Sequence, residues 1–159
     1  MKKEIKTNAM RLLDQAKIEY ETLYYDLGDE TFSGDLVCEK LNVNPDICLK
    51  TLVLKHDKDL YVVAIAVNKN LNLKKTAKAF GVKSLEMVKV KDLLKEVGYQ
   101  RGSVTPIGIL KKHKVAFDIS INDFDTLIIS GGQKGISLKL DKNELINYLN
   151  AEVLDICED

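Results

Sequence analysis

The chain has 159 residues, 45% of them hydrophobic and 30% charged, with 24 Lys and Arg matched by 24 Asp and Glu. That length suits one domain over residues 1–159 with a core of its own, and the composition excludes a disordered chain. No apolar run approaches a membrane span, and zero net charge excludes the indiscriminate DNA coating that an overall basic surface gives.

From the N-terminus, the spacing of Ile5, Ala9, Leu12, Leu13 and Ala16 predicts an amphipathic helix over residues 3–17. A start this charged, with helical period, is not a signal peptide. Residues 20–25, YETLYY, are rich in β-formers and predict a strand. A polar loop containing Gly28 runs over 26–32, and Ser33 is placed to cap a short helix through Leu41, closed off by Pro45. Residues 48–55 and 60–67 predict two strands joined by the polar turn His56-Asp57-Lys58-Asp59, an antiparallel hairpin. Residues 72–80 predict a helix stopped by Gly81, 85–90 a strand, and 91–97 a helix stopped by Gly98. Past a Gly- and Pro-rich stretch at 98–108, residues 114–121 and 126–129 predict strands. The turn SGGQKG at 130–135 leads into a strand at 136–140, and Asp141 with Glu144 opens a last helix through Leu149. Strands and helices mix without regular βαβ alternation, so the expected class is α+β, built on a mixed, curled sheet.

The chemistry available is narrow. Cys38, Cys48 and Cys157 are odd in number and unclustered, which fits a reducing cytoplasm and small core residues and offers no metal motif. His56 falls in the hairpin turn and His113 in the run Lys111-Lys112-His113-Lys114, so neither belongs to a nucleophile–base arrangement. No P-loop, HExxH or dinucleotide fingerprint occurs, and GGQKG reads as a strand-to-strand turn. No cofactor is implied. What stands out is GYQRGSVTPIG at 98–108: Gly102 and Gly108 relax the backbone, Pro106 stiffens it, and Ser103, Val104 and Thr105 offer main-chain N–H groups between them. Such a loop can hold a carbonyl or carboxylate oxygen with backbone donors, or it can be an ordinary helix-to-strand connection. Charge is also uneven. Residues 69–114 hold 12 Lys/Arg and 3 Asp/Glu, a local excess of +9 on an otherwise acidic chain, which points to an anionic partner on one side or to a solvated lysine face.

Four pieces in order carry a resemblance: Lys50-Thr51-Leu52, LNLKKTAKAFGVKSLEMV at 71–88, GY…G…TPIG at 98–108 and IISGGQKG at 128–135. Together they resemble the YbaK/EbsC family of aminoacyl-tRNA deacylases, related to the editing domain of bacterial prolyl-tRNA synthetase, over nearly the whole chain. The resemblance implies a barrel-like α+β domain that hydrolyses the ester of a mischarged amino acid on the 3′-terminal adenosine of tRNA. Cys-tRNA(Pro) or Cys-tRNA(Cys) is the expected substrate, with alanine or another small residue as the variant seen among relatives. By position, the functional lysine is Lys50 and the catalytic loop is Gly102, Ser103, Val104, Thr105 and Pro106. Substrate-binding positions are Tyr25 (with Tyr24 one residue away), Asp118, Ser130, Gly131 and Gly132. Two departures touch the pocket: Ser103 stands where relatives carry a second glycine, and Gln133-Lys134 where they carry Lys-Arg. The implied partners are aminoacyl-tRNA, docking its acceptor stem on Lys74, Lys75 and Lys78, and prolyl-tRNA synthetase. Neither membrane nor DNA is implied, and the location is cytoplasmic. The competing reading is a non-catalytic amino-acid or nucleotide-binding module with Lys50 as anion anchor.

Overall fold

The hairpin expected between residues 48 and 67 is the middle of the molecule. In a computed structural model, which describes residues 5–26, 28 and 34–159, β2 (Leu49–His56) and β3 (Asp59–Ala66) pair antiparallel from Leu49 opposite Ala66 to His56 opposite Asp59. Only the first residue of β3 is exposed. Its run Leu60-Tyr61-Val62-Val63-Ala64-Ile65-Ala66 lacks polar alternation because strands flank it on both sides and both its faces are covered. β5 (His113–Asp118) lies parallel to β3, β8 (Glu152–Leu154) parallel to β5, and the two-residue β4 (Glu86–Met87) antiparallel to the outer edge of β2. The five-stranded order is therefore β4-β2-β3-β5-β8.

A second, antiparallel sheet is formed by β1 (Tyr20–Tyr24), β7 (Ile136–Asp141) and β6 (Thr126–Ser130), in the order β1-β7-β6. The sheets meet at one point, a parallel bridge between Cys48 and Ile128, where Ile128 N–H donates to Ile47 C=O at 2.9 Å. They curl around a shared core without closing into a barrel. Phe117, Leu127, Leu138, Leu145, Ile107 and Val62 are fully buried there. The helices α1 (Asn8–Gln15), α2 (Gly34–Leu41), α3 (Leu73–Phe80), α4 (Val90–Val97) and α5 (Lys142–Leu149) complete a single α+β domain. On the far face of the five-stranded sheet, Leu54, Tyr61, Val63, Ile65 and Ala77 form a second cluster, with the Tyr61 and Phe80 rings 4.7 Å apart.

At two element ends that differ from the sequence expectation, side-chain caps account for the difference. The first helix starts at Asn8 because the Thr7 hydroxyl accepts Met10 N–H at 3.2 Å and ends the extended approach. The strand expected through residue 121 stops at Asp118, whose carboxylate accepts Ser120 N–H and turns the chain into the 3-10 turn Ile119–Asp123. Ser33, the expected cap of α2, lies outside the described residues.

The C-terminal strand was not anticipated, and it changes one assignment. Ile156 C=O accepts Asn72 N–H, Glu158 N–H donates to Asn70 C=O, and Leu71 bridges Cys157, so the tail lies along the start of α3. Lys75 reaches over it to Asp155 at 3.1 Å, Asp159 at 3.2 Å and Cys157 C=O at 2.9 Å. Two acidic partners thus occupy a lysine that the charge pattern had grouped with Lys74 and Lys78. Among the described residues no helix is long and apolar enough to cross a membrane.

Candidate active site

Where β2 parts from β6 and before it meets β4, a cavity of about 490 Å3 opens. Leu49, Lys50, Thr51, Leu52 and Val53 border it in unbroken succession. Successive strand side chains point to opposite faces, so five in a row can border one cavity only if it lies against the edge of the strand. Ile128, Ile129 and Ser130 of β6 face it from one side, Met87, Val88, Val90 and Leu93 from the other, and Arg101, Gly102 and Val104 from the Gly/Pro loop.

Several sequence-predicted residues meet here. Lys50 is partly buried on the same strand face as Leu52 and Leu54, and among the described residues its ammonium has no hydrogen bond or ion pair. Packing alone would favour Val or Ile at that place. Of the two adjacent tyrosines, Tyr25 borders the cavity and Tyr24 is 58% exposed. Burial pushes the Tyr25 phenol up, so it is a protonated donor at neutral pH. Ser130 also borders the cavity, and its hydroxyl joins the two glycine loops: it donates to Ser103 C=O at 3.0 Å and accepts Gly132 N–H at 3.1 Å. Gly131 sits against Ile136, whose Cγ2 would lie 2.7 Å from any Cβ there, so a larger residue would push the loop off β7.

Other predicted residues are placed elsewhere. Asp118 is not among the residues bordering the cavity. It is 2% exposed, and its two oxygens accept the N–H groups of Ser120 and Ile156. Burial pushes its pKa up, but those bonds and the Cys157 thiol outweigh burial and hold the carboxyl below the ordinary range. The same burial and the neighbouring carboxylate push the Cys157 thiol up to about 12, so it is no nucleophile. Asp118 thus ties the C-terminal tail to the end of β5.

Within the loop, Ser103 N–H and Oγ both donate to Gln100 C=O, at 3.0 and 2.9 Å, and Ser103, Thr105 and Pro106 are buried behind the cavity wall. Only Gly102 and Val104 of the five expected loop residues border the cavity, and Val104 N–H has no acceptor among the described residues. Tyr99 OH donates to Ile107 C=O and braces the loop from behind.

Sequence reading did not single out Arg101, Cys48 or Ser137, all of which border the cavity. Arg101 was legible as a cation one residue before the glycine loop; the other two became wall residues only through strand pairing. Among the described residues the lining holds two cations, Lys50 and Arg101, and no carboxylate or imidazole, so none of those side chains is a general base of the ordinary kind.

Comparison with known proteins fits this arrangement. The aminoacyl-tRNA editing domain model matches residues 30–148. The chain belongs to the aminoacyl-tRNA editing domain family. It is 33% identical over 156 residues, 98% of this chain and 95% of the relative, to the Enterococcus faecalis protein named "Putative Cys-tRNA(Pro)/Cys-tRNA(Cys) deacylase EbsC". It is 28% identical over 114 residues to the proline–tRNA ligase of Thermosipho africanus, a match covering 70% of this chain and 20% of that enzyme. Among solved structures, one titled "Crystal structure of a putative trans-editing enzyme for prolyl tRNA synthetase" superposes with a TM-score of 0.81 at 18% identity, over 98% of this chain and all of that one. By family this editing domain is an aminoacyl-tRNA deacylase, an ester hydrolase of translation quality control.

Proposed function

We propose that this editing domain acts in trans, in the cytoplasm, on cysteine mischarged onto tRNA(Pro) or carried by tRNA(Cys). The observation that supports this is the cavity itself: Lys50, Arg101, Tyr25, Val104 and Ser130 border one largely apolar space, Val104 N–H has no acceptor among the described residues, and no base is among the described lining residues. That inventory suits an ester whose carbonyl oxygen gains charge, and it suits a small acyl side chain against Leu49, Val37 and Ile128. Lys50 offers its ammonium to the developing oxyanion or the 3′-terminal phosphate, and Val104 N–H is the main-chain donor. The attacking group is water, a ribose hydroxyl or the substrate's own thiol. With water or the thiol, the new bond forms at the acyl carbon, the electron pair moves to the carbonyl oxygen, and collapse expels the ribose oxygen, which takes the proton that the attacking group gives up. A ribose hydroxyl only moves the acyl group to its own oxygen, and water or the thiol then completes the release. No protein nucleophile is consumed.

Single-turnover hydrolysis of cysteinyl-tRNA(Pro), alanyl-tRNA(Pro) and prolyl-tRNA(Pro) tests the proposal. Cysteinyl ester is expected to disappear fastest and prolyl ester to persist. Tight binding of all three with no turnover would establish the non-catalytic module instead.

The tRNA itself is held by charge. Lys74 and Lys78 are exposed on α3, whereas Lys75 is engaged with the C-terminal tail. Replacing Lys74 and Lys78 by Glu is expected to raise KM for aminoacyl-tRNA, and each lost phosphate contact to lower the log–log salt slope by about one unit. An unchanged slope means that this face meets only solvent. Lys75→Glu is the control, expected to lower the thermal midpoint by freeing the tail.

A further inference from the structure

An open strand edge inside a protein is unusual, because unpaired main-chain groups there lack partners. Val67 N–H donates to Cys48 C=O at 2.9 Å, while Cys48 N–H goes to Pro45 C=O at 3.3 Å, so Cys48 turns its C=O toward β3, and every second residue after it turns both its N–H and its C=O that way. Leu49, Thr51 and Val53 therefore turn theirs to the opposite edge. That edge is covered at both ends, where Ile128 N–H reaches Ile47 C=O and Val88 N–H reaches Val53 C=O, each at 2.9 Å. β4 pairs only with Leu54 and Lys55. Between these points no ladder among the described residues pairs Leu49 C=O or the main-chain groups of Thr51 on that edge, and this gap is where the cavity lies.

We infer that this open edge is the binding site for the α-amino group of the acyl moiety, received by the carbonyls of Leu49 and Thr51. This rests on the deacylase reading of the cavity. An α-amine is a hydrogen-bond donor in either protonation state, and it needs acceptors. Among the described residues the charged side chains bordering the cavity are Lys50 and Arg101, which are donors only, and no carboxylate is among them. The edge carbonyls supply acceptors without adding a negative charge that would oppose a developing oxyanion. Main-chain recognition at a sheet edge also leaves the side-chain pocket free to select the acyl group by size.

The test compares esters with and without the amine on the full chain: cysteinyl- against 3-mercaptopropionyl-tRNA, and alanyl- against propionyl-tRNA. Each kcat/KM is divided by the ester's own hydroxide rate, because an α-ammonium activates the carbonyl by itself. The amine-free esters are expected to fall by about ten- to a hundredfold. Thr51→Pro then localises the effect. Thr51 N–H takes no part in the β2–β3 ladder, so the substitution spares those bonds while its ring Cδ stands between the two carbonyls. In that variant the preference for the amine is expected to drop to within about twofold of none. A wild-type ratio within twofold of one, with the aminoacyl esters still cleaved, overturns the inference and leaves the deacylase reading standing. A preference that survives in folded Thr51→Pro also overturns it. Loss of every ester's hydrolysis sinks both. If Thr51→Pro does not fold, the wild-type ratios decide.

Discussion

Lys50→Ala is expected to slow single-turnover deacylation by about 30- to 1,000-fold while leaving the thermal midpoint in place. The lysine borders the cavity, is partly buried, and has no hydrogen bond or ion pair among the described residues. A buried-side cation without a partner contributes little to folding, so removing it should cost no more than about 0.5 kcal/mol of stability. In the transition state the same ammonium faces negative charge in a space largely shielded from water. Losing that contact is worth about 2–4 kcal/mol, which is the rate factor stated. Lys50→Arg should recover little, because a planar fork does not fit the place of a compact ammonium. Rates near wild type in Lys50→Ala would remove Lys50 from the chemistry, and a collapsed midpoint would make it structural.

Ser130→Ala is expected to lower kcat by about ten- to a hundredfold with KM nearly unchanged. Its hydroxyl fixes the Ser103 carbonyl from one side and Gly132 N–H from the other. The peptide plane that orients Ser103 C=O also orients Val104 N–H, a loop donor with no acceptor among the described residues. Alanine would leave Ser103 C=O unpaired behind the cavity and let that plane rotate, a loss of about 1–3 kcal/mol. The midpoint should fall by about 2–12 °C, since each kcal/mol moves a domain of this size by about 2–4 °C. A role limited to stability would lower the midpoint and spare kcat, and that pattern would remove Ser130 from loop positioning.

The elements were largely legible because their signals are local. Asn72 caps α3 through Lys75 N–H, Gly81 and Gly98 end their helices in the left-handed region, and the β-forming runs on either side of the polar turn His56-Asp57-Lys58-Asp59 make a hairpin. Family membership was legible too, because KTL, the GSVTPIG loop and SGG stand in one order on one chain. The short strand β8 was not. Three residues carry no usable period, and its pairing partner, β5, lies 36 positions earlier in the register, Glu152 against Ala116.

The composition of the site therefore came from the sequence, and its membership from the fold. Lys50, Gly102 and Ser130 announce themselves by residue type and company. Whether a loop N–H is free, as at Val104, or taken, as at Ser103 by Gln100, depends on a carbonyl whose direction no propensity encodes. Asp118 was expected at the substrate by position, and only the fold brings Ile156 from the far end of the chain to one of its oxygens. Lys75 looked like part of a basic face until Asp155 and Asp159 closed over it. Charge is written in the sequence, but whether a charge is available is set by which distant residues folding brings within about 3 Å of it, where Coulomb attraction and hydrogen bonding together decide its partner.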